Sequence, residues 1–134
     1  MMISLKNVSK DFNNTNILND INLTINEGEL VRIVGSNGCG KTTLLKIIAG
    51  LLKADGGNIT YGEGCNIGAV MENQNLILLD EPTRGLDIDS MNQFDNLVKE
   101  LKQEGKTIII CAHDGVENIN FDRIIEIKKG RIEE

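Results

Sequence analysis

Residues Gly35 to Thr42 read G-S-N-G-C-G-K-T, which fits the G-x-x-x-x-G-K-[ST] spacing of a phosphate-binding loop. The octet constrains its own surroundings. Such a loop works where a strand ends and a helix begins, because a helix N-terminus presents unpaired N–H groups and partial positive charge to an anion. The flanking residues comply. Leu30-Val31-Arg32-Ile33-Val34 is a short, mostly apolar and β-branched run that predicts a buried strand, and Thr42 to Leu52 predicts a helix. In that helix Leu44, Leu45, Ile47, Ile48, Leu51 and Leu52 fall at helical spacing. The glycines allow backbone conformations that a Cβ would block. Lys41 would reach the β- and γ-phosphates of a nucleotide, and Thr42 would offer its hydroxyl to Mg²⁺.

A length of 134 residues suits one domain spanning 1–134, and a hydrophobic share of 40% with only 3% aromatics calls for an aliphatic core. The net charge of −6, with no strongly basic stretch, argues against nucleic acid as a partner. No apolar run approaches the length that spans a bilayer. Met1-Met2-Ile3 leads into Lys6 and Asn7 without the apolar stretch of a signal peptide. Three cysteines without metal-ligand spacing predict reduced thiols in a cytosolic protein. Cys39, inside the loop, reads as a small tolerated side chain in preference to a redox control point.

The N-terminal part reads as β-rich. Ile3-Ser4-Leu5, Ile21 to Ile25 and Leu30 to Val34 are strand-like, with turns at Asn13-Asn14 and Glu27-Gly28. Asp55-Gly56-Gly57 is a turn before a short strand at Asn58 to Tyr61. Leu76-Ile77-Leu78-Leu79 predicts a buried parallel strand that closes on Asp80-Glu81-Pro82. Ser90 to Glu104 predicts an amphipathic helix with Met91, Phe94, Leu97, Val98 and Leu101 on its apolar face, capped by Asp89 or Ser90 and ended by Gly105. Ile108 to Ala112 predicts a further buried strand ending at His113. Phe121 to Ile127 and Arg131-Ile132 predict a closing hairpin.

An apolar strand ending in an acid complements a phosphate loop. Asp80 would leave the carboxyl edge of the sheet, where ligands of open α/β folds bind, and would hold Mg²⁺ through water. Glu81 would orient and deprotonate an attacking water. His113, the only histidine, would come to the same edge on another strand, within reach of a γ-phosphate.

These residues, in this order, resemble the ATP-binding subunit of ABC transporters along nearly the whole chain. Val8 to Phe12 looks like the segment of the adenine-stacking aromatic, with Phe12 where a Tyr is usual. Gly35, Ser36, Asn37, Gly38, Cys39, Gly40, Lys41, Thr42 and Thr43 look like its Walker A pattern. Leu76 to Pro82 is similar to Walker B, with Glu81 as the catalytic acid. Gly85-Leu86-Asp87 resembles the D-loop, and His113-Asp114 the switch histidine. The resemblance implies an α/β fold, a P-loop NTPase core whose mostly parallel sheet is flanked by helices, plus an N-terminal antiparallel β subdomain. It also implies ATP and Mg²⁺ as cofactors. Phe12 would stack on adenine, and the loop residues with Lys41 would hold the phosphates. Thr42 and Asp80 would hold the metal, Glu81 would be the base, and His113 would sense the γ-phosphate. Asp87 would communicate across a head-to-tail dimer with a second nucleotide-binding domain. The partner would be a transmembrane permease, with the chain peripheral on the cytoplasmic face of the membrane.

One family element has no counterpart. No segment between the two Walker-like motifs reads as the Leu-Ser-Gly-Gly-Gln-type signature or its helical subdomain. Ile67 to Glu72 resembles the strand before the Q-loop, which would put Glu72 at the glutamine position. An alternative alignment takes Ala69 to Asn75 as the tail of the helix after the signature, in which Gln74 is not the Q-loop residue. If Ile67 to Val70 and Leu76 to Leu79 were both parallel strands, Met71 to Asn75 would be too short a crossover. Three readings stand: a join or deletion near 65–75, a minimal core, or no strand in Gly64 to Asn75; a shortened chain is favoured. The leading function is the ATPase domain of an ABC transporter. The alternatives are an ATP–Mg²⁺-binding core that hydrolyses poorly without the signature, and a chromosome-maintenance or DNA-repair ATPase head of the same superfamily.

Overall fold

The computed structural model describes residues 1–35, 40–65 and 74–134, which form eight strands and two helices. The expected strand at Ile67 to Val70, the alternatives for Glu72, and loop residues Ser36, Asn37, Gly38 and Cys39 lie outside the described residues.

The N-terminal hairpin pairs β1 (Ile3–Phe12) with β2 (Thr15–Ile25) in antiparallel register, Phe12 opposite Thr15. Asn13 and Asn14 both take positive φ, 48° and 64°, the conformation of the two-residue turn that best matches strand twist. On its other edge β1 pairs antiparallel with β4 (Gly56–Tyr61). This is the expected antiparallel subdomain, with strands longer than the alternating apolar residues alone indicate.

The second sheet has the order β5-β6-β3-β7-β8, from β3 (Leu30–Val34), β5 (Leu76–Asp80), β6 (Thr107–Cys111), β7 (Arg123–Lys128) and β8 (Arg131–Glu133). β5, β6, β3 and β7 run parallel, and β7–β8 is the expected closing hairpin. Phe121 stands before β7 and packs on the core instead of joining the strand.

Strand alternation divides the interior into two layers. Val31, Ile33, Ile109 and Cys111 face one way, onto α1 (Lys41–Ile48) and the inner face of the antiparallel sheet. Leu30, Ile108, Ile110 and Ala112 face the other, onto Phe94, Val98 and Leu101 of α2 (Ile88–Gln103). Both helices end on a glycine with positive φ, Gly50 (78°) and Gly105 (84°). The amides of Leu51 and Lys106 donate to Lys46 and Leu101 carbonyls, the 6→1 bond of a Schellman stop.

Three local expectations are corrected. α1 stops at Ile48, so Leu51 lies beyond it and is exposed, because Gly50 ends the helix before its apolar pattern does. The cap of α2 is Asp87, whose carboxylate accepts the Ser90 amide at 2.7 Å; the helix therefore starts two residues before Ser90. Leu97 is half exposed, so the packed stripe is Phe94, Val98 and Leu101. No described helix is long and apolar enough to cross a membrane.

Candidate functional site

The parallel sheet delivers its strand ends to one edge. Asp80 pairs with Cys111, and Ile33 pairs with Cys111 from the other side, so the residues that follow β3, β5 and β6 emerge together. That edge carries Gly35, Asp80-Glu81 and His113, the placement expected of a ligand site in an open α/β sheet.

A cavity of about 490 Å³ opens there, lined by Phe12, Ile17, Gly40, Lys41, Thr42, Thr43, Asp80, Glu81 and Arg84. Its size falls in the range of small-molecule sites. Gly40 precedes α1 at φ +104°, and a Cβ on it would lie 2.8 Å from the buried Leu18 Cδ2. The loop thus enters the helix at a point where only glycine fits.

Lys41 is 7% exposed, donates to the Gly35 carbonyl at 2.7 Å and lies 3.8 Å from Glu81 Oε1. The Thr42 hydroxyl donates to Asp80 Oδ2 at 3.0 Å. This joins an alcohol and a carboxylate, two hard oxygen donors, at the head of the cavity. Such a pair suits Mg²⁺, which takes few protein ligands and keeps its waters.

Glu81 is held from several sides. Its amide donates to the Cys111 carbonyl at 2.6 Å. Oε2 accepts the His113 amide at 3.3 Å, and Oε1 faces both Lys41 and, at 3.9 Å, Arg84. Its φ of +48° is unusual for a non-glycine residue, a local strain typical of functional positions.

The structure brings together Phe12, Gly40, Lys41, Thr42, Thr43, Asp80 and Glu81. Gly35 touches the site through its carbonyl on Lys41. His113 reaches Glu81 through its backbone amide and does not line the cavity. Asp87 stands outside it as the α2 cap, where the Ser90 amide and hydroxyl hold its carboxyl below the usual range. Gln74 is buried, its carbonyl accepting from Lys106 Nζ at 2.5 Å, and it lines no part of the cavity.

Sequence reasoning missed three supports. Arg84 lines the cavity mouth. Arg32 donates to the Ala112 and His113 carbonyls at 3.3 and 3.1 Å, bracing the loop after β6. Buried Thr83 donates to the Asp114 carbonyl at 3.0 Å. The available signal for Arg32 was a single charge inside an apolar strand, which needs buried partners.

Residues 18–67 match the family model described as ABC transporter. A sulfate/thiosulfate import ATP-binding protein of Pseudomonas putida is 61% identical over 61 residues, 46% of this chain and 18% of that protein. The chain thus spans under a fifth of the length of these import relatives. An uncharacterized ABC transporter ATP-binding protein of Methanocaldococcus jannaschii is 25% identical over 197 positions, 96% of this chain and 75% of its own. An alignment of 197 positions against a chain of 134 residues leaves tens of its residues without a counterpart here. A dimeric bacterial ABC transporter cassette, MJ0796, superposes with a TM-score of 0.86 at 23% identity, covering 99% of this chain and 97% of that one. A nucleotide-free ATP-binding cassette gives 0.87 at 18%, covering 98% and 89%. The superpositions establish the cassette fold, and the sequence likeness to ABC transporter ATP-binding proteins is concentrated in residues 18–67.

Proposed function

We propose that this chain binds Mg²⁺–ATP in the cavity at the sheet edge and hydrolyses it to drive a transport partner. The observation that carries the reading is the convergence of Lys41, Thr42, Asp80 and Glu81 on one cavity that Phe12 borders. Lys41, an ammonium at the start of α1, would meet the phosphates where helix N–H groups also point. Phe12 would stack on the base. Ser36, Asn37, Gly38 and Cys39 would complete the phosphate cradle. Thr42 and Asp80 would hold Mg²⁺, which when bound neutralises charge on the phosphate oxygens. Glu81 would take the proton of the attacking water. The His113 amide already orients its carboxylate through Oε2, leaving Oε1 toward the cationic side of the site. His113 would sense the γ-phosphate as the loop after β6 adjusts. Asp87 would signal to a second copy docked head to tail. The membrane partner would be a permease met at the cytoplasmic face; the import relatives are named as ATP-binding proteins of import, which supports a transport role.

A second reading, a core that binds Mg²⁺–ATP and hydrolyses it poorly, draws support from the positions of the relative that this chain lacks. It also draws on the absence of a Leu-Ser-Gly-Gly-Gln-like segment from the sequence. On either reading residues 1–134 would form one cassette core, shortened near 65–75. Turnover and ATP affinity of wild type and Glu81→Gln separate the two readings. The ATPase reading expects turnover to collapse in the variant while affinity is kept. Wild-type turnover no higher than that of Glu81→Gln would leave the binding-only core.

A further inference from the structure

We propose that Lys10, held in place by Asp55, is a positioning residue for the base-stacking ring of Phe12. The inference rests on the ATP reading above and concerns the base end of that site. Phe12 ends β1 at the hairpin tip and is 42% exposed. A ring so placed needs something to fix its orientation before it can serve as a platform. Lys10 Nζ lies 5.2 Å from the Phe12 ring centroid, within cation–π range. Phe12 lines the cavity and Lys10 does not, so the ammonium backs the ring from outside the nucleotide site.

The lysine is itself held. Its side chain is only 13% exposed, and Nζ donates to Asp55 Oδ1 at 3.2 Å. Asp55 Oδ2 accepts the Asp11 amide at 2.8 Å, and the Asp55 amide donates to the Ser9 carbonyl at 2.9 Å. One aspartate in the turn before β4 therefore bonds three consecutive residues of β1, next to the aromatic. A solvent-exposed ion pair alone contributes little to stability. What this arrangement supplies is orientation: the ammonium occupies one side of the ring, and a base stacks from the other.

The test compares binding of ATP and of inorganic tripolyphosphate, which lacks a base, to wild type, Lys10→Met, Lys10→Arg, Phe12→Ala and the Lys10→Met/Phe12→Ala double variant. Lys10→Met is expected to weaken ATP about two- to fivefold, the range of an exposed cation–π contact, and to leave tripolyphosphate unchanged. Lys10→Arg, which keeps the cation, should match wild type. In the Phe12→Ala background Lys10→Met should cause no further loss. Equal weakening of both ligands would show that Lys10 acts through its charge on the phosphates, and would overturn the proposal. So would a full Lys10→Met effect without the Phe12 ring, or ATP affinity unchanged by Lys10→Met. Wild type that binds neither ligand would instead reject the ATP reading itself. Thermal melts establish that each variant is folded, and Asp55→Asn, which keeps the backbone bond to Ser9, provides a milder perturbation with the same expected pattern.

Discussion

Gly40→Ala isolates the geometry on which the phosphate loop depends. The residue has φ +104° and ψ 5° and directly precedes α1. Alanine in such a conformation carries about 1–3 kcal/mol of backbone strain. The added methyl would also lie 2.8 Å from Leu18 Cδ2 and 3.2 Å from the Ile17 carbonyl. Leu18 is fully buried and cannot swing into solvent, so the contact behaves as overpacking, about 1–3 kcal/mol more. A loss of about 2–5 kcal/mol is expected, since one relaxation relieves part of both costs. Urea unfolding reads it as a lower midpoint at unchanged slope. Gly28→Ala is the matched control. Its φ is +79°, and nothing lies within 4 Å of the added Cβ, so it keeps the backbone cost and lacks the clash. Gly40→Ala losing no more than Gly28→Ala would refute the steric argument. A loss below about 0.5 kcal/mol would refute both parts.

Thr83→Val removes the hydroxyl that donates to the Asp114 carbonyl. It should cost about 0.5–1.5 kcal/mol, the usual net worth of one hydrogen bond, in the same unfolding assay; a neutral result would show that the bond does not hold the loop after β6. Asp87→Asn keeps an acceptor for the Ser90 amide but abolishes titration. The Asp87 carboxyl is lowered from its ordinary 3.8 by the Ser90 backbone and side chain. Its contribution is therefore complete above that value and fades as pH falls through the lower folded value. The stability gap between wild type and variant should accordingly shrink in strong acid, and a gap that widens on acidification would contradict the assignment.

Much of this site was legible because the chemistry is local in sequence. The octet, the apolar run ending at Asp80 and the strand ending at His113 each announce an element and the residue at its end. Parallel pairing then forces those ends together. What sequence could not show were contacts made across the fold. Arg32 meets the loop after β6, Thr83 meets Asp114, and Asp55 meets Lys10, all between segments far apart in the chain. Element boundaries failed where backbone signals overrode apolar periodicity. Gly50 stops α1 while Leu51 and Leu52 continue its pattern. At α2 the Asp87 carboxylate, ahead of both predicted caps, accepts the Ser90 amide.

On the proposed function, Lys41 holds the phosphates of ATP in the cavity shared with Thr42, Asp80 and Glu81. Isothermal titration of Mg²⁺–ATP into wild type and Lys41→Ala tests it most directly. Wild type should bind one nucleotide per chain. Lys41→Ala should bind at least about tenfold more weakly, because a charge-assisted bond is worth about 1.5–3 kcal/mol. Equal affinity in the two proteins would contradict the assignment of the site.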